Sequence, residues 1–305
     1  MVAGILNDMK HFLEISQLSH EQVMHLIQRA VYFKTHQDYP QYRQHTLTHL
    51  FYEPSTRTRV SFEMAAKNLG IRVVDVDVTR SSELKGEMIE DTIQTLFAMG
   101  ITLFAIRHPQ EGLPQAMAGG FSSGIHIINA GDGAHEHPSQ ALLDFMTILS
   151  HKPNVKQLKI TIVGDILHSR VANSLQYLCA LLGVGELVLV APQIWHPRAP
   201  IYGRVTTSLE DGLKNADVVI ALRIQQERLL AEEMMDLPSY HAAYAITKAS
   251  LAPANSEVMI MHPGPINRGI EIDSDVVDGP RSYILEQVKN GVFMRMAIIE
   301  SLLSE

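Results

Sequence analysis

Apolar positions along this chain switch repeatedly between two spacings. Short runs dense in aliphatic and β-branched residues alternate with stretches whose apolar positions recur every three or four residues. Residues 45–51 read as a strand, with Leu47, Leu50 and Phe51 to bury, and residues 60–69 as a helix. Phe62, Met64, Ala65, Ala66 and Leu69 give that helix its apolar side, and Gly70 stops it. Upstream, residues 19–34 predict a surface helix: Ser19 and Gln22 have capping-box spacing, and Val23, Leu26 and Ile27 form a stripe. Downstream come strands at 71–78, 101–106 and 124–130 and helices at 88–99 and 138–150, the last with Pro138 in its first turn. Residues 151–154 (HKPN) mark a boundary. A second series follows, with strands at 158–165, 186–191, 217–222 and 258–261 and a helix at 171–182 ended by Gly183. A long helical stretch closes the chain, with a break expected near Gly291.

Such steady alternation predicts an α/β protein, each sheet mostly parallel and flanked by helices. At 305 residues the chain is expected to form two domains. Ligands of such sheets bind beyond the carboxyl ends of the strands. Ser55, Thr56, Arg57, Thr58, Arg107, His137 and Gln140 all follow predicted strands closely, which on position alone predicts one shared site. The run Ser55-Thr56-Arg57-Thr58-Arg59 is expected as a polar loop where a strand turns into a helix. Outward N–H groups, the helix dipole, three hydroxyls and a planar guanidinium there suit a phosphate or another small oxyanion. The plainer alternative is an N-cap beside a solvated face. Single arginines near strand ends are most often surface or ion-pair residues. Arg107, Arg170 and Arg223 together with Arg57 make an anion-handling cleft the better reading.

Composition narrows the chemistry. With 46% hydrophobic and 19% charged residues the chain looks like an ordinary globular enzyme, and no apolar run reaches the length of a membrane span. No signal peptide is expected in Met1–Lys10, so the expected compartment is cytoplasmic. The net charge of −8 argues against general nucleic-acid binding but not against a local basic pocket. The single cysteine, Cys179, excludes an internal disulfide and a thiolate zinc site. Val163-Gly164-Asp165 lacks the rest of a dinucleotide fingerprint. Asp132, His135, Glu136 and His137 crowd one loop, yet their spacing fits no familiar metal signature, and no G-x-S-x-G elbow is present. No metal and no cofactor is expected. Lys85, taken alone, reads as an exposed loop lysine.

Taken together, these motifs resemble the aspartate/ornithine carbamoyltransferase family, and within it the catalytic chains that act on aspartate. Ser55-Thr56-Arg57-Thr58-Arg59 looks like the family's carbamoyl-phosphate signature. His137-Pro138-Ser139-Gln140 matches its His-Pro-x-Gln, and Ser81 with Lys85-Gly86-Glu87 its mobile lysine loop. Arg107-His108-Pro109, Arg170, Arg223 with Gln225, and His262-Pro263-Gly264-Pro265 match further positions, in order, over nearly the full length. The resemblance implies two α/β domains: residues 1–150 with a C-terminal helix at about 285–305 packed back on them, binding carbamoyl phosphate, and residues 151–284, binding L-aspartate. It implies transfer of the carbamoyl group to the aspartate amine with release of phosphate, the committed step of pyrimidine (UMP) synthesis.

The same resemblance implies roles. Ser55, Thr56, Arg57 and Thr58 would hold the phosphate, and Thr58, Arg107 and His137 would donate to the carbonyl oxygen. Gln140 and the Gly264-Pro265 backbone would orient the carbamoyl NH2. Arg170 and Arg223 would clamp the aspartate carboxylates, helped by Gln225 and Lys85. The implied unit is a homotrimer with shared sites, Ser81 and Lys85 reaching into a neighbour's; family members also occur with regulatory or dihydroorotase-like chains. Some members carry leucine where this chain has Gly264, but the contacts expected there are backbone ones. An ornithine carbamoyltransferase would read His-Cys-Leu-Pro in the last loop, and Arg223 suits a carboxylate better than an ammonium. A non-catalytic anion-binding scaffold would show an eroded site, whereas every expected polar position is filled.

Overall fold

Strand pairing sorts the apolar runs into two parallel sheets, seen in a computed structural model that describes residues 9–78, 86–121 and 124–303. The chain divides into two compact units, Met1–Met146 with Val288–Glu305, and Thr147–Gln287. The first unit contains β1 (Thr46–Phe51), β2 (Arg72–Asp75), β3 (Leu103–His108) and β4 (His126–Asp132), paired in the order β2-β1-β3-β4. Helices α1 (His20–His36), α2 (Thr56–Asn68), α3 (Ile89–Ala98), α4 (Leu113–Ala118) and α5 (Pro138–His151) alternate with them. β1 is buried along nearly its whole length, as a central parallel strand covered on both faces must be. Leu50, Ile93, Phe104, Ile106, Ile125 and Ile127 belong to one buried apolar cluster beside it. Burying each such side chain contributes about 1.5–3 kcal/mol.

The chain leaves β1 to form β2 on one side and returns to form β3 on the other. The loops after β1 and β3 therefore splay apart at the carboxyl end of the sheet, which is where open α/β sheets leave room for ligands. The second unit repeats the device. Its strands β5 (Lys159–Val163), β6 (Glu186–Val190), β7 (Arg204–Thr206), β8 (Val218–Ala221) and β9 (Met259–Met261) pair in the order β7-β6-β5-β8-β9, and the reversal falls between β5 and β8. Gly164 closes β5 with φ +137°; a Cβ there would come within 2.7 Å of the Leu222 carbonyl oxygen, so only glycine lets the two strand ends lie this close. Helices α6 (Arg170–Leu182), α7 (Leu209–Leu213), α8 (Leu237–Tyr244) and α9 (Ser274–Val277) complete the unit.

Several expectations need correction. α2 begins at Thr56 rather than Val60, so the polar run is itself the first helical turn and not a loop before it. β3 and β4 each start and end two residues later than expected, because strand pairing, Leu47 of β1 opposite Leu103 and Leu103 opposite His126 of β4, sets their register rather than the first apolar residue. Arg107 therefore lies within a strand, one residue before its end, instead of following one. β2 is an exposed edge of four residues; Val76 and Val78 leave the ladder to pack on the apolar cluster. β7, α7 and α8 have no counterpart among the expected elements, being too short or too mixed to show a period.

The expected break at Gly291 is absent: α10 runs unbroken over Ile284–Leu303. From Val288 on it belongs to the first unit, with Ile298, Ile299 and Leu302 buried. It packs back there through a forked ion pair in which Arg29 of α1 donates to both oxygens of Glu300, at 2.6 and 2.7 Å. Gly291 serves packing instead. A Cβ at that position would lie 2.7 Å from Arg295 Nη1 and 3.2 Å from Leu143 Cδ2. Helix propensity alone favours Gly291→Ala by about 1 kcal/mol. Arg295 is enclosed and cannot swing aside, so the substitution is expected to destabilise by about 1–3 kcal/mol, measured by urea unfolding.

Candidate active site

Both sheets end in clusters of residues suited to anions. In the first unit Ser55 occupies the N-cap position of α2 in extended conformation (φ −161°, ψ 93°), and its side chain caps no helical N–H. Its hydroxyl is thus not committed to the helix. Thr56 and Arg57 are exposed in the first turn, and Thr58 is buried. The first N–H groups of a helix lack intrahelical acceptors and sit at the positive end of its dipole. Arg59 is engaged elsewhere, in an ion pair with Asp75.

Neighbouring strands bring two more groups to this helix start. Arg107, in register with Phe51, lies 3.4 Å from Glu53 and donates to the Ala130 carbonyl at 3.4 Å. His137 is buried, with Nε2 3.5 Å from Thr58 Oγ1. Thr58, Arg107 and His137, named separately along the sequence, thus meet at one end of one sheet. Gln140 follows three residues later in α5 and donates from Nε2 to Asp144 at 2.9 Å.

The loop that delivers His137 is held by Asp132. This carboxylate accepts from Asn129 Nδ2 at 2.9 Å, from the N–H of Gly112 at 2.7 Å and of Glu136 at 3.2 Å, and from His135 Nδ1 at 3.0 Å. Burial alone would raise the Asp132 carboxyl, but the bonds from His135, Asn129 and Gly112 outweigh it and hold the group below its ordinary range. The bond to Asp132 pushes His135 up to about 9. Glu14, His135 and Glu136 each present a ligand atom within 4.8 Å of the others, the one such group among the described residues. His135 Nδ1 is already committed to Asp132, and acidic groups this close are common without an ion.

In the second unit Arg170 is the first residue of α6, buried, behind Ser169, whose side chain accepts from the N–H of Ala172. Arg223 follows β8, directly across the β5/β8 reversal. It makes a two-pronged ion pair with Glu227, Nη1 donating at 3.0 Å and Nη2 to the other oxygen, and this bond raises its already high pKa further. Gln225 donates to the His168 carbonyl at 3.0 Å, and His168 Nδ1 lies 2.9 Å from the buried Asp165. The loops after β5 and β8 are thereby tied together. Gly264 N–H donates to His262 Nδ1 at 2.8 Å; His262 Nε2 lies 3.0 Å from Glu271, and Pro265 follows Gly264 across a cis peptide bond. Ser81 and Lys85 lie outside the described residues. Glu53, Asp144, Glu227 and Arg295 escaped the sequence reading, and Asp165 entered it only as part of an incomplete dinucleotide-binding turn. For Asp144 and Glu227 a signal was present, an acid four residues after Gln140 and Arg223 respectively.

Two family models cover almost the whole chain. One, described as aspartate/ornithine carbamoyltransferase, carbamoyl-P binding domain, matches residues 10–150; the other, the Asp/Orn binding domain, matches residues 156–302. The chain belongs to the aspartate/ornithine carbamoyltransferase family. An aspartate carbamoyltransferase catalytic subunit of Legionella pneumophila strain Paris is 57% identical over 296 residues, covering 97% of this chain and 100% of that one. Among solved structures, an aspartate transcarbamoylase of Trypanosoma cruzi, in complex with carbamoyl aspartate and phosphate, matches with a TM-score of 0.86 at 31% identity, covering 98% of this chain and 97% of that one. The ornithine carbamoyltransferase of Pyrococcus furiosus matches nearly as well in backbone, with a TM-score of 0.84, but at 26% identity, covering 95% and 96%. The fold is thus common to both branches.

The His135 pKa carries a pH prediction. A histidine raised from 6.5 to about 9 on folding stabilises the folded state fully below about pH 6.5, and that contribution disappears as pH climbs through about 9. In urea unfolding, wild type is therefore expected to exceed His135→Ala by most near pH 6, with the gap closing by about pH 10.

Proposed function

We propose that this chain transfers the carbamoyl group of carbamoyl phosphate to the amine of L-aspartate, giving N-carbamoyl-L-aspartate and phosphate, a step of pyrimidine synthesis. The observation that carries the choice of aspartate is the pair of arginines in the second unit, Arg170 at the start of α6 and Arg223 after β8, at the β5/β8 reversal. Two guanidinium forks suit a dicarboxylic amino acid, whereas ornithine would bring a second ammonium to them. The near-full-length identity to aspartate-named catalytic subunits supports the same choice.

The first unit takes carbamoyl phosphate. Ser55, Thr56, Arg57 and Thr58 hold the phosphate at the start of α2, and Arg57 steadies it as it leaves. Thr58, Arg107 and His137 donate to the carbonyl oxygen, His137 as a hydrogen-bond donor. Gln140 and the backbone of Gly264 and Pro265 accept from the carbamoyl NH2. Arg170 and Arg223, with Gln225 and Lys85, hold aspartate by its carboxylates. The amine lone pair attacks the carbonyl carbon, the carbon–oxygen bond to phosphate breaks, and the departing phosphate takes the amine proton. Positioning two anions together and stabilising the tetrahedral oxyanion supply most of the acceleration.

The working unit of this proposal is a homotrimer in which Ser81 and Lys85 serve a neighbour's site. Exposed Val60 and Met64 on α2 and Val74 on the edge strand β2 support contact between copies on this unit. The single cysteine, buried in α6, fits a cytoplasmic setting.

Phosphate release from carbamoyl phosphate, with L-aspartate and L-ornithine run in parallel, tests the reading: release dependent on aspartate alone is expected, and release with ornithine instead would overturn the assignment of the second unit. Sharing of sites has its own test. Arg57→Ala and Lys85→Ala chains, each inactive alone, are expected to regain activity when dissociated and reassembled together, because some mixed trimers hold one site with neither lesion. No recovery after verified exchange would place Lys85 in its own chain's site.

A further inference from the structure

Gln140 reaches the proposed carbamoyl-phosphate half-site from α5, and its amide has two chemically opposite ends. One donates and the other accepts, and a free glutamine can present either. Here the choice is forced. Nε2 donates at 2.9 Å to Asp144, one turn further along the same helix. A carboxylate can only accept, so the amide must turn its N–H end to Asp144, which leaves Oε1 as the end able to accept from a ligand.

Asp144 is fully buried, and a carboxylate in that position needs compensating charge. Arg295 of α10 provides it. That side chain is 3% exposed; burial lowers its pKa to about 10, and Asp144 acts in the opposite direction to keep it charged. Arg295 Nη2 donates to Ser139 Oγ at 3.3 Å, next to Gln140, and its guanidinium carbon stands 4.9 Å from the centre of the Phe62 ring on α2. Nη1 donates to the Gly291 carbonyl at 3.2 Å in the space that the glycine leaves open. One buried cation thus braces the helix that begins with Ser55–Arg59 and the helix that carries Gln140.

We infer that Asp144, held in place beside Arg295, is a positioning residue that sets the specificity of this half-site, locking Gln140 with its carbonyl as the accepting end so that the site selects an acyl phosphate bearing an NH2 group over one bearing a methyl. The inference rests on the proposed assignment of carbamoyl phosphate to the first unit. A site built to accept a hydrogen bond rejects a ligand that cannot donate one, because its own polar group then stays unpaired. Acetyl phosphate is the matching probe, with the same phosphate and carbonyl and a methyl in place of the amine.

The experiment compares calorimetric affinities of carbamoyl phosphate, acetyl phosphate and inorganic phosphate for the full assembled chain, as wild type and as Asp144→Asn. An asparagine can pair with either end of Gln140, so the amide is free to turn over. The preference for carbamoyl over acetyl phosphate is expected to fall about tenfold, with inorganic phosphate affinity unchanged within about twofold. An equal loss for all three ligands would mean that Asp144 serves only the packing, and an unchanged preference would also overturn the inference. Should Asp144→Asn fail to fold, hydrogen exchange of the Gln140 side-chain amide in wild type decides. Protected Nε2 protons in both the free and the carbamoyl-phosphate-bound chain support the lock, and fast exchange in both refutes it. A wild type that showed no preference between the two acyl phosphates would instead overturn the proposed function of the first unit, and this inference with it.

Discussion

A guanidinium shut away from water is the constraint on which the first unit depends. Arg295 reaches inward from the last helix, over the face of Phe62 and against Ser139, near the buried carboxylate of Asp144. Removing either ion would leave the other buried and uncompensated, which costs about 3–5 kcal/mol. The pair cannot be justified as simple glue, since well-packed apolar residues often stabilise as much. What it does is fix geometry. Helices α2 and α5 start beside different strands, and a charge with directional donors between them allows little rotation or slide. The C-terminal helix therefore does more than cover apolar surface, and the forked Arg29–Glu300 pair fastens its far end to α1.

The same topological solution appears twice. In each sheet the chain turns back on itself beside a central strand, and the residues suited to anions sit where the following loops part. The first unit answers with a helix start and hydroxyls, the second with two arginines. That division matches the chemistry of the two proposed ligands. A phosphate is matched by many converging N–H and O–H donors, and carboxylates by planar forks. The ornithine enzyme of similar backbone shows that this scaffold does not by itself decide the amino acid.

Much of this was legible in the sequence. Alternating periods gave the two α/β units, and the capping box of Ser19 and Gln22 is present as read, each side chain bonded to the other's backbone N–H. The polar residues that meet at the end of the first sheet were all named from position. Other features depend on information that one-dimensional spacing does not carry. Strand limits follow cross-strand register, which is why β3 reaches as far as His108, opposite Asp132 of β4. Gly291 looked like a helix breaker because propensity ignores what lies opposite, and Arg295 drew no reading because nothing local shows that Phe62 and Ser139 lie against it. The start of α2 was placed too late because hydroxyl residues carry no apolar period, although they suit a first turn well.

The ion pair between Arg223 and Glu227 has a thermodynamic consequence. If Arg223 is to grip a carboxylate of the amino acid, it must first release one that the chain itself supplies. Binding then becomes an exchange of partners: the number of ion pairs at the guanidinium stays constant, and the net gain is only the difference between two similar contacts. Such a swap weakens the hold on substrate without weakening the geometry of the bound state. It also keeps the guanidinium compensated during every empty interval, so the arginine need never stand as a bare charge waiting for the wrong anion. The segment from Arg223 to Glu227 thus carries its own carboxylate at the guanidinium, and any anion that takes this arginine must displace it.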